Sequence, residues 1–390
     1  MAGLNFLHTP GPTFLPEEIL NAMNRQPLDF GDERIAELVA GIQPDLQTLF
    51  QTRADVFIYI ANGHGGWEAT LSNICDPGDT VVIPMTGFFS SRWVEVARAL
   101  GLEIIEVRST DGHDVDYAAV EKILSEDRSH KIKAVLGTQI DTGAGVAHDI
   151  KRFRGCLDAA AHPALLVADC IASLGAAEFR MDEWGVDVAI TGSQKALMMP
   201  PGLALVAAND KAKAIAAANV RPKLYWDWQA RNSEIIYHRF CGTLPIHLLF
   251  GLRAALDLIL EEGLERRIQR HQRVASAVQA AVAEWVKGGD MEFFVPEENC
   301  RSVSVTAIRV VSDNASAETI RKLARHQFNV SIAGGLASLE NQIIRIGHLG
   351  VVNTPMILGC LGGLEATFEH LGVRYRSGLS AAAKVLSTPL

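Results

Sequence analysis

A lysine in an apolar, turn-rich setting is the first residue of this chain equipped for chemistry. Lys195 sits in TGSQKALMMPPG (191–202), after the strand-like run VDVAIT (186–191). Most lysines keep an ammonium group in water. A desolvated lysine has a lowered pKa, and its free amine attacks aldehydes to form a Schiff base. Gly192 and Ser193 let a ligand come close to the backbone, and Pro200-Pro201-Gly202 fixes the chain beyond.

Pyridoxal phosphate is the commonest aldehyde partner of such a lysine, and it makes demands elsewhere in the chain. Its pyridine nitrogen needs an acid if the ring is to serve as an electron sink. Asp169 ends the apolar run ALLVAD, 26 residues before Lys195. A helix cap is the alternative role for that aspartate. The phosphate needs backbone N–H groups at a helix start. ANGHGGWEAT (61–70) follows the run DVFIYI and carries glycines at 63, 65 and 66. The ring needs a flat apolar neighbour, and Phe88 and Phe89 follow the second strand-like run. A substrate carboxylate needs an arginine. Arg345 interrupts QIIRIG (342–347), where it must be paired with an acid or face a cleft.

These residues need a scaffold that brings them together. Continuous apolar runs at 55–60, 80–84, 102–107, 133–138, 164–169, 186–191 and 203–208 read as seven strands. Helical stretches at 66–75, 91–100, 117–125 and 150–160 lie between them. The alternation predicts an α/β fold with a seven-stranded, mostly parallel sheet flanked by helices, whose ligands gather at the carboxyl ends of the strands. Past residue 245 the pattern changes to helices at 246–260 and 264–285, strands at 302–310 and 342–347, and helices at 317–326 and 355–371. This predicts a smaller α+β C-terminal domain. The expected division is an arm (1–20), a large cofactor-binding domain (21–255) and a small domain (256–390).

The balance of 48% hydrophobic and 21% charged residues is that of a globular protein, and a net charge of -9 argues against nucleic acid or an anionic membrane as partner. No apolar run is long enough to span a bilayer, and the N-terminus does not read as a signal peptide. Six scattered cysteines without a CxxC pair point to free thiols in the cytoplasm and to no metal site. The fingerprints of dinucleotide- and nucleotide-binding loops are absent.

Taken together, HTPGPTFLPEEIL (8–20), NGHGGWEATLSN (62–73), GFFSSRW (87–93), the segment 169–202, TLP (243–245) and RIGHLG (345–350) resemble the class V, fold-type I aminotransferases of the serine–glyoxylate and alanine–glyoxylate type. They span nearly the whole chain in the family's order. The resemblance implies that Lys195 binds the cofactor and moves the substrate's proton, and that Asp169 pairs with the ring nitrogen. It implies Phe89 and Ile171 on the two ring faces, Gly63, His64 and Gln194 at the phosphate, and Thr142 at the ring hydroxyl. Thr243 would reach the phosphate of a neighbouring subunit in a homodimer, or a tetramer built from it. Arg345 would bind the substrate carboxylate and Gly11 would line the substrate pocket. The implied reaction moves the amino group of a small L-amino acid (serine or alanine, with an aspartate-like donor as a further candidate) to glyoxylate by a ping-pong scheme.

The chain departs from the family at Phe30-Gly31, where many relatives carry His-Arg, and at Asp141-Thr142-Gly143-Ala144, where Glu-Ser/Thr-x-Thr is usual. It departs also at Cys170, commonly Gly, Ala or Ser, and at Phe240, where some members place a tyrosine. Alternative functions are transfer to pyruvate and a class V lyase such as a cysteine desulfurase. The latter needs a reactive cysteine, for which Cys300 is the candidate, and a histidine where this chain has Phe89.

Overall fold

A computed structural model of the chain describes residues 3–388. A short strand β1 (Phe6–His8) opens it, followed by β2 (Asp55–Ala61), β3 (Thr80–Met85), β4 (Glu103–Arg108) and β5 (Ile132–Thr138). A two-residue ribbon, β6 (Ile140–Asp141) and β7 (Val146–Ala147), precedes β8 (Leu165–Asp169), β9 (Val188–Gly192) and β10 (Gly202–Ala208). The last four strands are β11 (Met291–Phe293), β12 (Val305–Val310), β13 (Val330–Gly334) and β14 (Ile343–Gly347).

Seven strands form the large sheet in the order β2-β10-β9-β8-β5-β3-β4. All run parallel except β10, which is antiparallel to both neighbours. The exception follows from chain length. Parallel neighbours need a crossover of about a dozen residues or more, usually a helix. Only residues 193–201 separate β9 from β10, so β10 must turn straight back. That short connection is the segment carrying Lys195. The carboxyl ends of β2, β3, β5, β8 and β9 therefore meet at one edge of the sheet.

β8 and β9 are buried along their whole length, which explains their unbroken apolar sequence. The helix after β2 begins at Gly63, three residues before the sequence reading put it. Asn62 caps it, its side chain accepting from the His64 and Gly65 N–H groups at 3.1 and 3.3 Å. Gly66 lets this helix press on the sheet, since a Cβ there would lie 2.9 Å from Cγ2 of Ile190.

The second sheet has five strands in the order β1-β13-β14-β12-β11. β1 pairs in parallel with β13, so the N-terminal strand belongs to a sheet otherwise made by the last third of the chain. The returning segment, residues 9–13, then crosses to the carboxyl edge of the large sheet. The sequence reading had no β1, β11 or β13. It also lacked the helices Glu17–Met23, Glu33–Phe50, Asp210–Ala218 and Leu379–Leu386. The longest of these carries Pro44 in its interior, which reads as a break. It survives because Ile35, Val39, Ile42, Leu46 and Leu49 bury one continuous face in the large core. Among the described residues no helix is long and apolar enough to cross a membrane.

Candidate active site

The connections at the carboxyl edge of the large sheet converge on one cavity of about 310 Å³. Lys195, Asp169, Phe89, Ile171 and Thr142 line it. So do Gly63, His64 and Gln194, with Gly11 coming across from the other sheet. Thr243, Arg345 and Phe88 were singled out from sequence and are not in its wall. Thr243 is exposed in the loop before the helix Ile246–Glu262. Arg345 lines a neighbouring cleft of about 590 Å³ together with Arg321 and Glu340.

Lys195 is 8% exposed, and its Nζ donates to the Pro10 carbonyl at 2.6 Å. Burial pulls its pKa down to about 8, and the charge of Arg345 adds to the effect, against the attraction of Asp169 and Asp141. The N-terminal segment holds this loop from outside. Thr13 donates from its hydroxyl to the Lys195 carbonyl at 2.9 Å and from its N–H to the Gln194 carbonyl at 3.2 Å.

Gly11 belongs to the same clamp. Its φ of 137° is a conformation that side chains rarely allow, and a Cβ there would lie 2.6 Å from Cδ and 2.8 Å from Nζ of Lys195. Gly11→Ala must strain the backbone or push the amine aside. Steady-state kinetics should show kcat/KM falling by up to about 100-fold, the scale of an ångström-level misplacement. A variant within twofold of the parent would mean that the amine does not need its present position.

Asp169 closes β8 and accepts the Ile171 N–H at 2.9 Å. Burial pushes its carboxyl up to about 7, and the charge of Asp141 pushes in the same direction. No cation among the described residues forms a salt bridge with it. It is thus an acid at the floor of a cavity without a counter-charge of its own.

The sequence reading left Arg345 between a salt bridge and a cleft. It faces a cleft, and no carboxylate among the described residues pairs with it. Nε donates to the Gly334 carbonyl at 2.7 Å and Nη1 to the Thr142 carbonyl at 2.6 Å. Burial holds its pKa down to about 10, against the attraction of Asp141. Its guanidinium therefore stands behind the Thr142 wall of the cavity.

Phe89 lines the cavity with its ring centroid 5.8 Å from the Lys195 Nζ. Phe88 turns away, edge-on to Phe89, into an adjacent cleft. Asp141 is a residue whose importance sequence reasoning missed. It is fully buried and accepts from the Ser90 N–H at 2.8 Å, the Ser90 hydroxyl at 2.9 Å and the Gly143 N–H at 2.8 Å. It pins the turn carrying Phe89 to the turn carrying Thr142 and supplies negative charge near Lys195 and Arg345. The available signal was an acid inside the buried run TQIDTGAGV. Trp67, another missed wall residue, packs its ring 4.4 Å from that of His64.

The other departures lie away from the cavity. Cys170 and Phe240 point into the large core, and Phe30 is exposed against Tyr237. Cys300 is 5% exposed in a satellite core with Val146 and Phe294, and burial pushes its thiol pKa up. It has none of the accessibility a desulfurase nucleophile requires.

The family model for class-V aminotransferases matches residues 6–355. The chain belongs to this family. It is 38% identical over 391 residues to the serine–glyoxylate aminotransferase of Arabidopsis thaliana, covering 98% of this chain and 96% of that one. It is 36% identical over 388 residues to the L-aspartate–glyoxylate aminotransferase of Paracoccus denitrificans, with 98% and 96% covered. Among solved structures, the ureidoglycine–glyoxylate aminotransferase of Bacillus subtilis superposes with a TM-score of 0.91 at 26% identity, covering 100% of this chain and 99% of that one. This class-V aminotransferase is a transaminase of the pyridoxal-phosphate fold, and pyridoxal phosphate is its cofactor.

The cavity fits that cofactor. The buried acid without a counter-charge suits a protonated ring nitrogen. The Lys195 amine suits an aldehyde carbon. Gln194 lines the cavity together with Gly63 and His64, and the NH₂ of its amide can donate to a phosphate. A Cβ at Gly63 would lie 2.4 Å from Cδ1 of Ile171, so only glycine keeps that end of the cavity clear.

Proposed function

We propose that this class-V aminotransferase transfers the amino group of a small L-amino acid, serine or alanine ahead of aspartate, to glyoxylate. The observation that carries this reading is the size of the cavity. At about 310 Å³ it stands at the low end of ligand sites, and beside the cofactor it leaves room for a substrate of two or three carbons. The names of the full-length relatives support glyoxylate as the acceptor.

The chemistry supplied by bound pyridoxal phosphate is an electron sink for charge developing at the substrate's α-carbon. This chain does the rest. Lys195 Nζ, desolvated and with its pKa brought down to about 8, takes the α-proton as a base in its free-amine form. Asp169 holds positive charge at the ring nitrogen. Phe89 and Ile171 confine the ring between two apolar faces. Gly63, His64 and Gln194 bind the phosphate, and Thr142 orients the ring hydroxyl. Arg345 would receive the substrate carboxylate once the Thr142 wall that separates its cleft from the cavity gives way, and Gly11 bounds the space left for the side chain.

Arg345→Lys replaces a planar fork by a point charge, at a loss of about 1.5–3 kcal/mol per charged hydrogen-bonded contact. KM for the amino acid should rise about 10- to 100-fold, with kcat changing less. An unchanged KM would remove Arg345 from the substrate site.

The reading extends to assembly. A homodimer with shared sites is supported by the surface around Thr243, where Leu224, Ile235 and Tyr237 are 77%, 57% and 46% exposed. Six unpaired cysteines support a cytoplasmic setting. The chain would divide into an arm (1–20), a cofactor-binding part (21–255) and a small part (256–390), with the helix Ile246–Glu262 straddling the second boundary.

The test is half-reaction spectroscopy. Holoenzyme is mixed with single amino acids, and loss of the visible absorbance band marks a donor. Glyoxylate should restore the band fastest. Restoration by pyruvate or oxaloacetate alone would overturn the acceptor assignment.

A further inference from the structure

Arg267 lies on the helix Leu264–Val286 and is 2% exposed, among the largest wholly buried side chains in the molecule. Its guanidinium spans three segments. Nη2 donates to the Ala196 carbonyl at 2.6 Å, Nε to the Gly175 carbonyl at 2.8 Å, and Nη1 to Glu262 at 2.9 Å. Ala196 follows Lys195 directly. Gly175 ends the turn that follows Asp169, where the Ser173 and Leu174 N–H groups both donate to the Cys170 carbonyl. One cation thus joins the loop bearing the amine to the loop bearing the acid.

Met198, three residues beyond Lys195, has a φ of 58°, a conformation unusual for a side chain of its kind. Such a conformation persists only where the surroundings impose it. The Met198 sulfur lies 3.5 Å from Arg267 Nη2, and the Met198 N–H donates to the Lys195 carbonyl at 3.0 Å. The same helix reaches the loop that follows the strand of Arg345. Arg270 bonds Glu262 at 2.5 Å and donates to the carbonyls of Gly350 and Val352, while His271 accepts the Gly350 N–H at 3.1 Å. Ala176, Ala196 and Leu349 close into a small apolar cluster beside it.

We infer that Arg267 is a positioning residue for transamination: it fixes the backbone after Lys195 against the turn after Asp169 and so sets where the amine stands relative to the acid. The inference rests on the roles given above to Lys195 and Asp169. Arg267 touches neither substrate nor cofactor and acts through the two carbonyls it binds. Its planar fork matters, because two carbonyls and a carboxylate are met in fixed directions, which a lysine cannot do.

Arg267→Met removes all the donors and keeps an apolar chain. In the holoenzyme kcat should fall about 100-fold, the scale of a misplaced reacting group, with KM for the amino acid within about threefold. Hydrogen exchange should speed up at the amides of 173–176 and 196–199 while those of β8 stay protected, in apo and holo protein alike. Arg267→Lys should fall between the two. If Arg267→Met fails to fold, Glu262→Gln loosens the same cation in place, and it should open the same amides with a smaller loss of kcat. Arg267→Met with kcat within threefold of the parent and uniform exchange would overturn the inference and leave a merely structural arginine. Lys195→Ala in the same assays separates the two readings: if that variant still transaminates, the lysine assignment itself has failed.

Discussion

Lys195→Ala is expected to lower kcat by about 10⁴-fold, the upper range for loss of a positioned acid–base group, and to abolish the visible band of the lysine-bound cofactor. Fold loss should not explain the result. The side chain makes one hydrogen bond, to the Pro10 carbonyl, and the loop is held by its backbone through Thr13, Arg267 and the Met198 N–H. A small primary amine such as methylamine should recover part of the rate by occupying the space the side chain leaves.

The pH dependence has a definite sign. Burial disfavours the ammonium form and brings the pKa from 10.5 to about 8. At pH 7 the free amine is then roughly 300-fold more abundant than on an exposed lysine. Cofactor uptake by the apoprotein should speed up about tenfold per pH unit below 8 and level off above it. A Lys195→Ala variant with more than about 1% of the parent rate, or uptake that climbs steadily to pH 10, would be incompatible with this role.

The large sheet was legible because its strands are buried on both faces. Their sequences are unbroken apolar runs, and all seven lie where those runs predict. The small sheet was legible only in part. β1 and β11 have three residues each, and β1 finds its partner β13 some 320 residues away, a pairing no local pattern encodes. The cavity was legible wherever a costly residue stood at a strand end, as with Asp169 and Lys195. Arg345 was found because a charge interrupts an apolar strand, yet its setting was not, because its partners are main-chain carbonyls that leave no mark on sequence. Asp141 and Arg267 were passed over for opposite causes. Asp141 entered only as a departure from a family pattern. Arg267 lies in LERRIQRHQRV, where a charged residue on an amphipathic helix reads as solvent-facing. Only the packing shows that Arg267 is buried.

Asp169→Asn should produce an enzyme that is slower and an apoprotein that is more stable. The amide keeps the shape and can still accept the Ile171 N–H, but it cannot hold positive charge at a ring nitrogen. Loss of one preorganised electrostatic contact of this kind lowers kcat by about 10²–10³-fold. Stability moves the other way. The folded apoprotein raises this carboxyl from 3.8 to about 7, because burial and Asp141 both oppose its ionised form. Below pH 4 the acid is neutral in folded and unfolded chains, and the substitution changes little. Between pH 4 and 7 the unfolded chain ionises first, so the parent loses stability relative to the variant. Above pH 7 the difference is complete, at up to about 4 kcal/mol for a rise from 3.8 to about 7. Thermal melts of the two apoproteins should therefore coincide near pH 4 and diverge toward pH 8, the variant melting higher. Adding pyridoxal phosphate should narrow the gap, since a cation beside Asp169 recovers the penalty in the parent alone. An apo variant that melts lower than the parent at pH 8 would mean that Asp169 already has a counter-charge within the fold. The acid would then be structural, and the cavity would have no reason to bind a cationic ring.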